Sequence, residues 1–63
     1  MDNAKIGNLI YQLRKEKNMT QLQLAEKLGI SDKAVSKWER GLGSPDLSLM
    51  PKLSEILGVD LEK

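Results

Sequence analysis

Residues 20–41 read TQLQLAEKLGISDKAVSKWERG, two amphipathic segments joined by Gly29-Ile30-Ser31. This joint is too short for an antiparallel hairpin of straight helices, and it fits two helices that cross steeply. Ala25 supports that geometry, because a small side chain near Gly29 lets the two backbones approach. Apolar residues recur on one face of each segment at helical spacing, and they are Leu24, Leu28, Ile30, Val35 and Trp38. The pattern therefore predicts two packed helices around a tight turn.

The ends of these two helices have their own sequence signals. Thr20 and Gln23 have the spacing of a capping box, which predicts a helix over residues 21–28. The glycine that follows suits the left-handed residue that ends such a helix. Ser31 is a favourable N-cap for the second helix, which we expect over residues 32–40.

An amphipathic helix is predicted upstream of this pair. Ile6, Ile10 and Leu13 share one helical face. We therefore expect a helix from about residue 4 to residue 17. Asn18-Met19 fits a short turn after it, because asparagine tolerates the left-handed conformation.

The downstream chain contains the principal loop and a fourth helix. Glycine, serine and proline cluster in residues 41–46, which predicts the loop. The helix that follows has two candidate starts. With Ser48 as N-cap, Pro51 falls in the first turn, where its missing N–H costs nothing, whereas a start at Asp46 predicts a kink. In either case the helix ends at Leu57.

Leu57-Gly58-Val59-Asp60 repeats the pattern that ends the second helix: a leucine, a glycine, an aliphatic residue and an N-cap. A fifth helix is therefore expected to begin at Asp60. Too few residues follow it to form a stable helix. We expect residues 1–63 to be a single domain and the N-terminal part of a longer parent.

The composition excludes several classes of function. The chain has no cysteine and no histidine, which removes disulfides, thiolate metal sites and the commonest general base. No cluster of acids has ligand spacing, so we expect no catalytic residue, no metal, no cofactor and no small-molecule ligand, and thus no enzyme. No apolar run is long enough for a membrane span or a signal peptide, which predicts a cytoplasmic protein without a membrane partner.

The charge is distributed unevenly along the chain. The net charge is +1, but residues 1–44 carry eight lysines and arginines against five acids. Residues 45–63 carry two against four. This asymmetry is a weak indication of a polyanionic partner for the first two thirds of the chain.

These motifs together resemble the lambda-repressor/Cro-like family of helix-turn-helix DNA-binding domains, also called the XRE family. The blocks that carry the resemblance are residues 13–17 (LRKEK), Thr20-Gln21, residues 24–29 (LAEKLG), residues 35–41 (VSKWERG), Pro45-Asp46 and Leu57-Gly58-Val59. The resemblance implies an all-α, compact bundle of four to five helices, with the helix-turn-helix at the second and third. It also implies a transcriptional regulator, most often a repressor, that binds double-stranded DNA in a sequence-specific manner.

In this family, the helix predicted over residues 32–40 would lie in the major groove with its N-terminal part toward the bases. Periodicity agrees, because Val35 and Trp38 belong to the buried face and the polar residues lie opposite. The residues expected to contact bases are Asp32, Lys33, Ser36 and Lys37. Trp38 is expected in the core rather than stacked on a base.

The four candidates differ in the chemistry they offer. Lys33 and Lys37 can donate to guanine O6 and N7 or to phosphate. Ser36 can contact either a base edge or the DNA backbone. Asp32 can accept from cytosine N4, or it can simply stabilise the positive end of its own helix.

Phosphate contacts are implied at the start of the second helix and at the exit of the third. Gln21 would bind a phosphate there, with the backbone donors of the helix N-terminus. Thr20 is expected to cap the helix and to add its hydroxyl. The candidates at the exit are Arg40, Gly41, Gly43 and Ser44. Arg40 is equally consistent with a solvated surface charge.

An ion pair between Arg14 and Glu39 is also implied by the resemblance. It would join the first helix to the third and fix the angle of the reading helix. Its role is therefore architectural. Removing one partner of a buried pair would be costly, because it leaves an uncompensated charge. Tyr11 lies off the apolar face of the first helix and has no assigned role.

A second function remains open on the same fold, because similar domains also serve as antitoxins or adaptors that bind a partner protein. Such a module would expose an apolar patch, and the candidate residues are Leu9, Leu42 and Leu49. Related regulators usually bind as homodimers on half-sites about 34 Å apart. The sequence has no obvious dimer surface, so we expect a monomer whose longer parent forms the homodimer.

Overall fold

The computed structural model describes residues 2–59, which form four α-helices and one short 3₁₀ helix and contain no β-strand. The helices are α1 (Asn3–Glu16), α2 (Gln21–Leu28), α3 (Asp32–Glu39) and α4 (Met50–Leu57), with the 3₁₀ helix at Leu47–Leu49. The all-α fold expected from the sequence is confirmed. The fifth helix expected at Asp60 lies outside the described residues.

Both ends of α2 have the predicted caps. The Thr20 hydroxyl accepts from the Gln23 backbone N–H at 3.0 Å, and the Gln23 side-chain oxygen accepts from the Thr20 N–H at 2.9 Å. Gly29 follows with a φ of 73°, a left-handed conformation that glycine adopts without steric cost. The helix therefore has the bounds that the sequence predicts.

The neighbouring helices also follow their local signals. The Ser31 hydroxyl accepts from the Ala34 N–H at 3.3 Å and so caps α3. α3 ends at Glu39, one residue before the predicted end, and Arg40 is its C-cap. Asn18 has a φ of 56°, which confirms the left-handed turn between α1 and α2.

The start of α4 differs from both predicted alternatives. Ser48 does not cap it, because Ser48 lies inside the 3₁₀ helix, where its hydroxyl donates to the Asp46 carboxylate at 2.5 Å. The 3₁₀ helix takes up the residues in between, and Leu49 is the N-cap of α4 without a side-chain hydrogen bond. Pro51 lies in the first turn, so no kink is required. The predicted end at Leu57 is confirmed.

All four α-helices contribute to one core. Its buried residues are Ile10, Leu24, Ala25, Leu28, Val35, Trp38, Met50, Leu53 and Leu57. α3 packs against both α1 and α2, so the predicted reading helix is held from two sides. No helix within residues 2–59 is both long enough and apolar enough to cross a membrane.

The backbones of α1 and α3 approach closely at Gly7, a position for which the sequence contains no local signal. A Cβ atom built on Gly7 would lie 1.9 Å from the carbonyl oxygen of Trp38. No side chain fits at that separation. Gly7 is therefore required for the observed packing of α1 on α3.

Candidate nucleic-acid interface

The polar face of α3 is open to solvent. Lys33 and Lys37 are exposed, and Ser36 is half-buried beside them. On the opposite face Val35 and Trp38 are buried, at 0% and 6% exposure. Within residues 2–59 neither lysine has an ion-pair partner. The helix therefore presents two free ammonium groups to a ligand.

The loop after α3 lies beside the Lys37 side chain. A Cβ atom built on Gly43 would lie 3.9 Å from Lys37 Cδ, and the Leu42 N–H donates to the Lys37 carbonyl at 3.0 Å. The structure thus brings the expected phosphate residues of this loop next to a base-contact candidate. Ser44 is exposed there, and Gly43 is half-buried.

Two of the expected phosphate-binding residues at the exit of α3 already donate hydrogen bonds within the protein. The Gly41 N–H donates to the Trp38 carbonyl at 3.0 Å, so that donor is already used inside the protein. Arg40 is exposed, and its Nε donates to the Ser36 carbonyl at 3.3 Å. The terminal guanidinium nitrogens of Arg40 have no partner within the described residues and remain free for an anion.

A surface cleft of about 620 Å³ lies where α1 ends and where α2 and α3 begin. It is lined by Arg14, Lys15, Asn18, Met19, Thr20, Gln21, Leu22 and Asp32. The N-terminus of α2 opens into this cleft, and backbone donors in a first helical turn have no partner in their own helix. Such donors attract an anion such as phosphate. Asp32 is exposed and adds a negative charge to the same cleft.

The Arg14–Glu39 ion pair expected from the resemblance is present. Arg14 Nε lies 2.7 Å from Glu39 Oε2, and Arg14 Nη2 lies 2.9 Å from Oε1. The two side chains are only 7% and 5% exposed. Arg14 Nη1 also donates to the Met19 carbonyl at 2.8 Å. The pair thus joins α1, the α1–α2 turn and the last residue of α3.

The electrostatic environment favours the charged form of Arg14. The hydrogen bonds that Arg14 donates to Glu39 raise the pKa of the Arg14 guanidinium, and burial opposes that effect more weakly. The guanidinium also lies over the Tyr11 ring, 5.4 Å from its centroid, a distance typical of cation–π contact. Within residues 2–59 every buried side-chain nitrogen and oxygen has a hydrogen-bond partner, so the buried charges are compensated.

One contact at this site has no signal in the sequence. Gln21 is half-buried, and its Nε2 donates to Glu39 Oε1 at 3.0 Å. The residue expected to bind phosphate is thus also attached to the ion pair. The two residues are 18 positions apart, and neither periodicity nor capping rules connect them.

Apolar side chains are exposed at scattered positions outside the α3 face. Leu9 and Leu42 are 37% and 59% exposed, as a protein-binding module would require. Leu49 was expected in the same exposed patch, but it is partly buried and packs against the core, so this expectation is wrong. Leu47 is the most exposed of these residues, at 80%.

Known proteins share this sequence pattern. Residues 10–63 match the family model HTH_3, described as Helix-turn-helix. The HTH-type transcriptional activator BcrR of Enterococcus faecalis is 43% identical over 54 residues, which are 86% of this chain and 26% of that protein. Multiprotein-bridging factor 1 of Candida albicans is 36% identical over 59 residues, which are 94% of this chain and 39% of that protein. The chain thus spans less than half the length of these relatives.

A solved structure matches the fold. The crystal structure of the P22 c2 repressor protein in complex with a synthetic operator superimposes with a TM-score of 0.81 at 31% sequence identity. The match covers 86% of this chain and 82% of that chain, so it extends over most of both.

Proposed function

Because the chain belongs to the helix-turn-helix family HTH_3, we propose that it binds double-stranded DNA in a sequence-specific manner and regulates transcription. Membership confirms the lambda-repressor/Cro-like family that the sequence resembles. The observation that carries the proposal is the exposed face of α3, where Lys33 and Lys37 have no partner among the described residues. The match to a repressor bound to an operator supports repression as the outcome.

The base contacts of the proposal lie on α3. With this helix in the major groove, Lys33 and Lys37 donate to guanine O6 and N7. Ser36 lies half-buried on the same helix and contacts a base edge or the DNA backbone. Asp32 lies at the cleft, where its carboxylate accepts from cytosine N4.

The phosphate contacts of the proposal lie on both sides of that face. At one side, Thr20, Gln21 and the N-terminus of α2 bind one phosphate in the cleft. At the other side, Arg40 and the loop residues Gly43 and Ser44 bind a second. These contacts position the domain and carry no sequence information by themselves. We place this regulator in the cytoplasm, as the composition predicts, and assign it no reaction.

Selection from a pool of random duplexes tests the proposal. The chain should enrich a defined sequence, and Lys33→Ala or Lys37→Ala should enrich a different or less defined one, because each removes a base contact. Arg40→Ala should weaken binding to every duplex and leave the preferred sequence unchanged. Enrichment of no sequence by the parent chain would refute sequence-specific binding, and identical preferences in all variants would refute the assignment of residues.

A protein-binding adaptor is the second candidate, and the exposure of Leu42 and Leu47 favours it. The similarity to Multiprotein-bridging factor 1 is consistent with that role. NMR titration with the selected duplex separates the two candidates. DNA binding predicts shifts of the amide signals of residues 32–40, whereas an adaptor that does not bind DNA predicts none.

A further inference from the structure

Glu39 is the meeting point of three donors from two other helices. Its Oε1 accepts from Arg14 Nη2 at 2.9 Å and from Gln21 Nε2 at 3.0 Å, and its Oε2 accepts from Arg14 Nε at 2.7 Å. The Arg14 contact holds Glu39 on α1. The Gln21 contact adds a connection to α2 that the ion pair does not need for its own charge balance.

The hydrogen bond between Gln21 and Glu39 connects the ends of α2 and α3 that are far from the turn. Gln21 is the first residue of α2, and Glu39 is the last residue of α3. The two helices are already joined at their other ends by residues 29–31. Two helices joined only by a turn can change their crossing angle, whereas a second contact between their other ends restricts that angle. The Gln21–Glu39 hydrogen bond therefore restrains the crossing angle of α2 and α3.

The same amide also faces the proposed phosphate site. Gln21 lines the cleft into which the N-terminus of α2 opens. A primary amide has two N–H donors, and only one is used by Glu39. The other N–H is free for a phosphate oxygen.

We propose that Gln21 is a positioning residue that couples the phosphate held at the start of α2 to the orientation of α3 through Glu39. This inference rests on the proposed function. It predicts that loss of Gln21 changes discrimination between sequences, because base contacts by Lys33 and Lys37 depend on the angle of α3. Arg40 differs, since the only hydrogen bond of its side chain within the described residues is to the Ser36 carbonyl of α3, the helix that it caps.

The experiment compares the affinity for the selected duplex with that for a shuffled duplex of the same composition. Gln21→Met keeps the length of the side chain and removes both donors. Its ratio of affinities should fall by about three- to tenfold, because misalignment of α3 removes part of the discrimination of a base contact. Arg40→Ala should weaken both duplexes by the same factor. Gln12→Met is the matched control, because Gln12 is exposed and has no partner within the described residues.

Two further measurements keep the inference separate from folding and from the proposed function. Affinities are measured at temperatures where Trp38 fluorescence shows each variant to be folded. The amide spectrum of free Gln21→Met should show shifts along α3, up to Glu39, without any DNA. Equal weakening of both duplexes by Gln21→Met, or an unchanged α3 spectrum in the free protein, would overturn the coupling. If the parent chain prefers no duplex, the proposed function fails, and the free spectrum still decides whether Gln21 positions α3.

Discussion

The Glu39 carboxylate is a charged group buried in a domain with a small apolar core. The side chain is 5% exposed and depends on Arg14 for its neutralisation. Buried pairs of this kind contribute little net stability, but the loss of one partner is costly. Their use here is geometric, because the bidentate contact fixes the end of α3 with two parallel hydrogen bonds.

Replacement of Glu39 by glutamine tests this role of the ion pair. Glu39→Gln leaves the Arg14 charge buried without compensation and should destabilise the fold by about 3 to 5 kcal/mol. For a domain of this size, each kcal/mol lowers the melting temperature by about 4 to 8 °C. Circular dichroism melting measures the change, with Glu26→Gln as a control at an exposed glutamate. An unchanged melting temperature in Glu39→Gln would show that the pair has no architectural role.

The raised pKa of Arg14 determines how the charge of this arginine responds to pH. A cation whose pKa is raised on folding stabilises the protein below its unfolded pKa and stops doing so only as the pH rises through the folded value. For an arginine both values lie far above neutrality. The Arg14 titration therefore adds no pH dependence to stability between about pH 5 and pH 9.

Between elements, the contact of α1 with α3 depends on the absence of a side chain. The Gly7 backbone faces the Trp38 carbonyl, and that oxygen also accepts from Gly41. α3 is thus held by a backbone contact near its end as well as by the Arg14 pair. A change at Gly7 acts on the orientation of a whole helix rather than on one side chain.

Gly7→Ala should therefore lower both stability and DNA affinity, although Gly7 lies on the buried side of α1. The added methyl group requires the two helices to separate, and overpacking of this kind costs about 1 to 3 kcal/mol. Gly43→Ala is the control for stability, since its Cβ would meet nothing closer than 3.9 Å. Urea denaturation compares the two variants. Equal stability of Gly7→Ala and the parent would mean that α1 and α3 can separate without cost.

Prediction from the sequence succeeded where the determining interactions were local. Thr20 with Gln23, Gly29 and Ser31 act within four residues, and each was predicted with its partner or conformation. The start of α4 was not, because a 3₁₀ helix at Leu47–Leu49 includes Ser48 and leads directly into α4, so Ser48 is not at the N-cap position. The same limit applies to Gly7 and Gln21, whose partners are more than 15 positions away and are set by packing.

The site shows the same division. The polar face of α3 follows from periodicity, since burial of Val35 and Trp38 leaves Lys33 and Lys37 outside. The Arg14–Glu39 pair was implied by the family resemblance and by no local pattern. Which of these groups contact bases or phosphates is a prediction that DNA binding must test.

For the whole domain, the balance of charge predicts a shallow dependence of DNA affinity on salt. The net charge is only +1, and the cations expected at the DNA are Lys33, Lys37 and Arg40. The slope of log K against log salt concentration should be about −2 to −3 for one domain, since each neutralised phosphate contributes about −0.9. Fluorescence anisotropy between about 50 and 200 mM salt measures this slope. A slope near −6 would mean that cations outside α3 also contact the backbone, or that two copies bind together.

The length of the helices has a consequence for the proposed DNA binding. α2 and α3 have eight residues each, too few for an isolated helix to persist in water. The reading helix exists only while the rest of the bundle surrounds it, so unfolding leaves no partly competent remnant. Under the proposed function, the fraction of molecules able to bind DNA equals the folded fraction, and bound DNA in turn stabilises the folded state against unfolding. The extent of DNA binding and the lifetime of the protein then both depend on the same folding equilibrium.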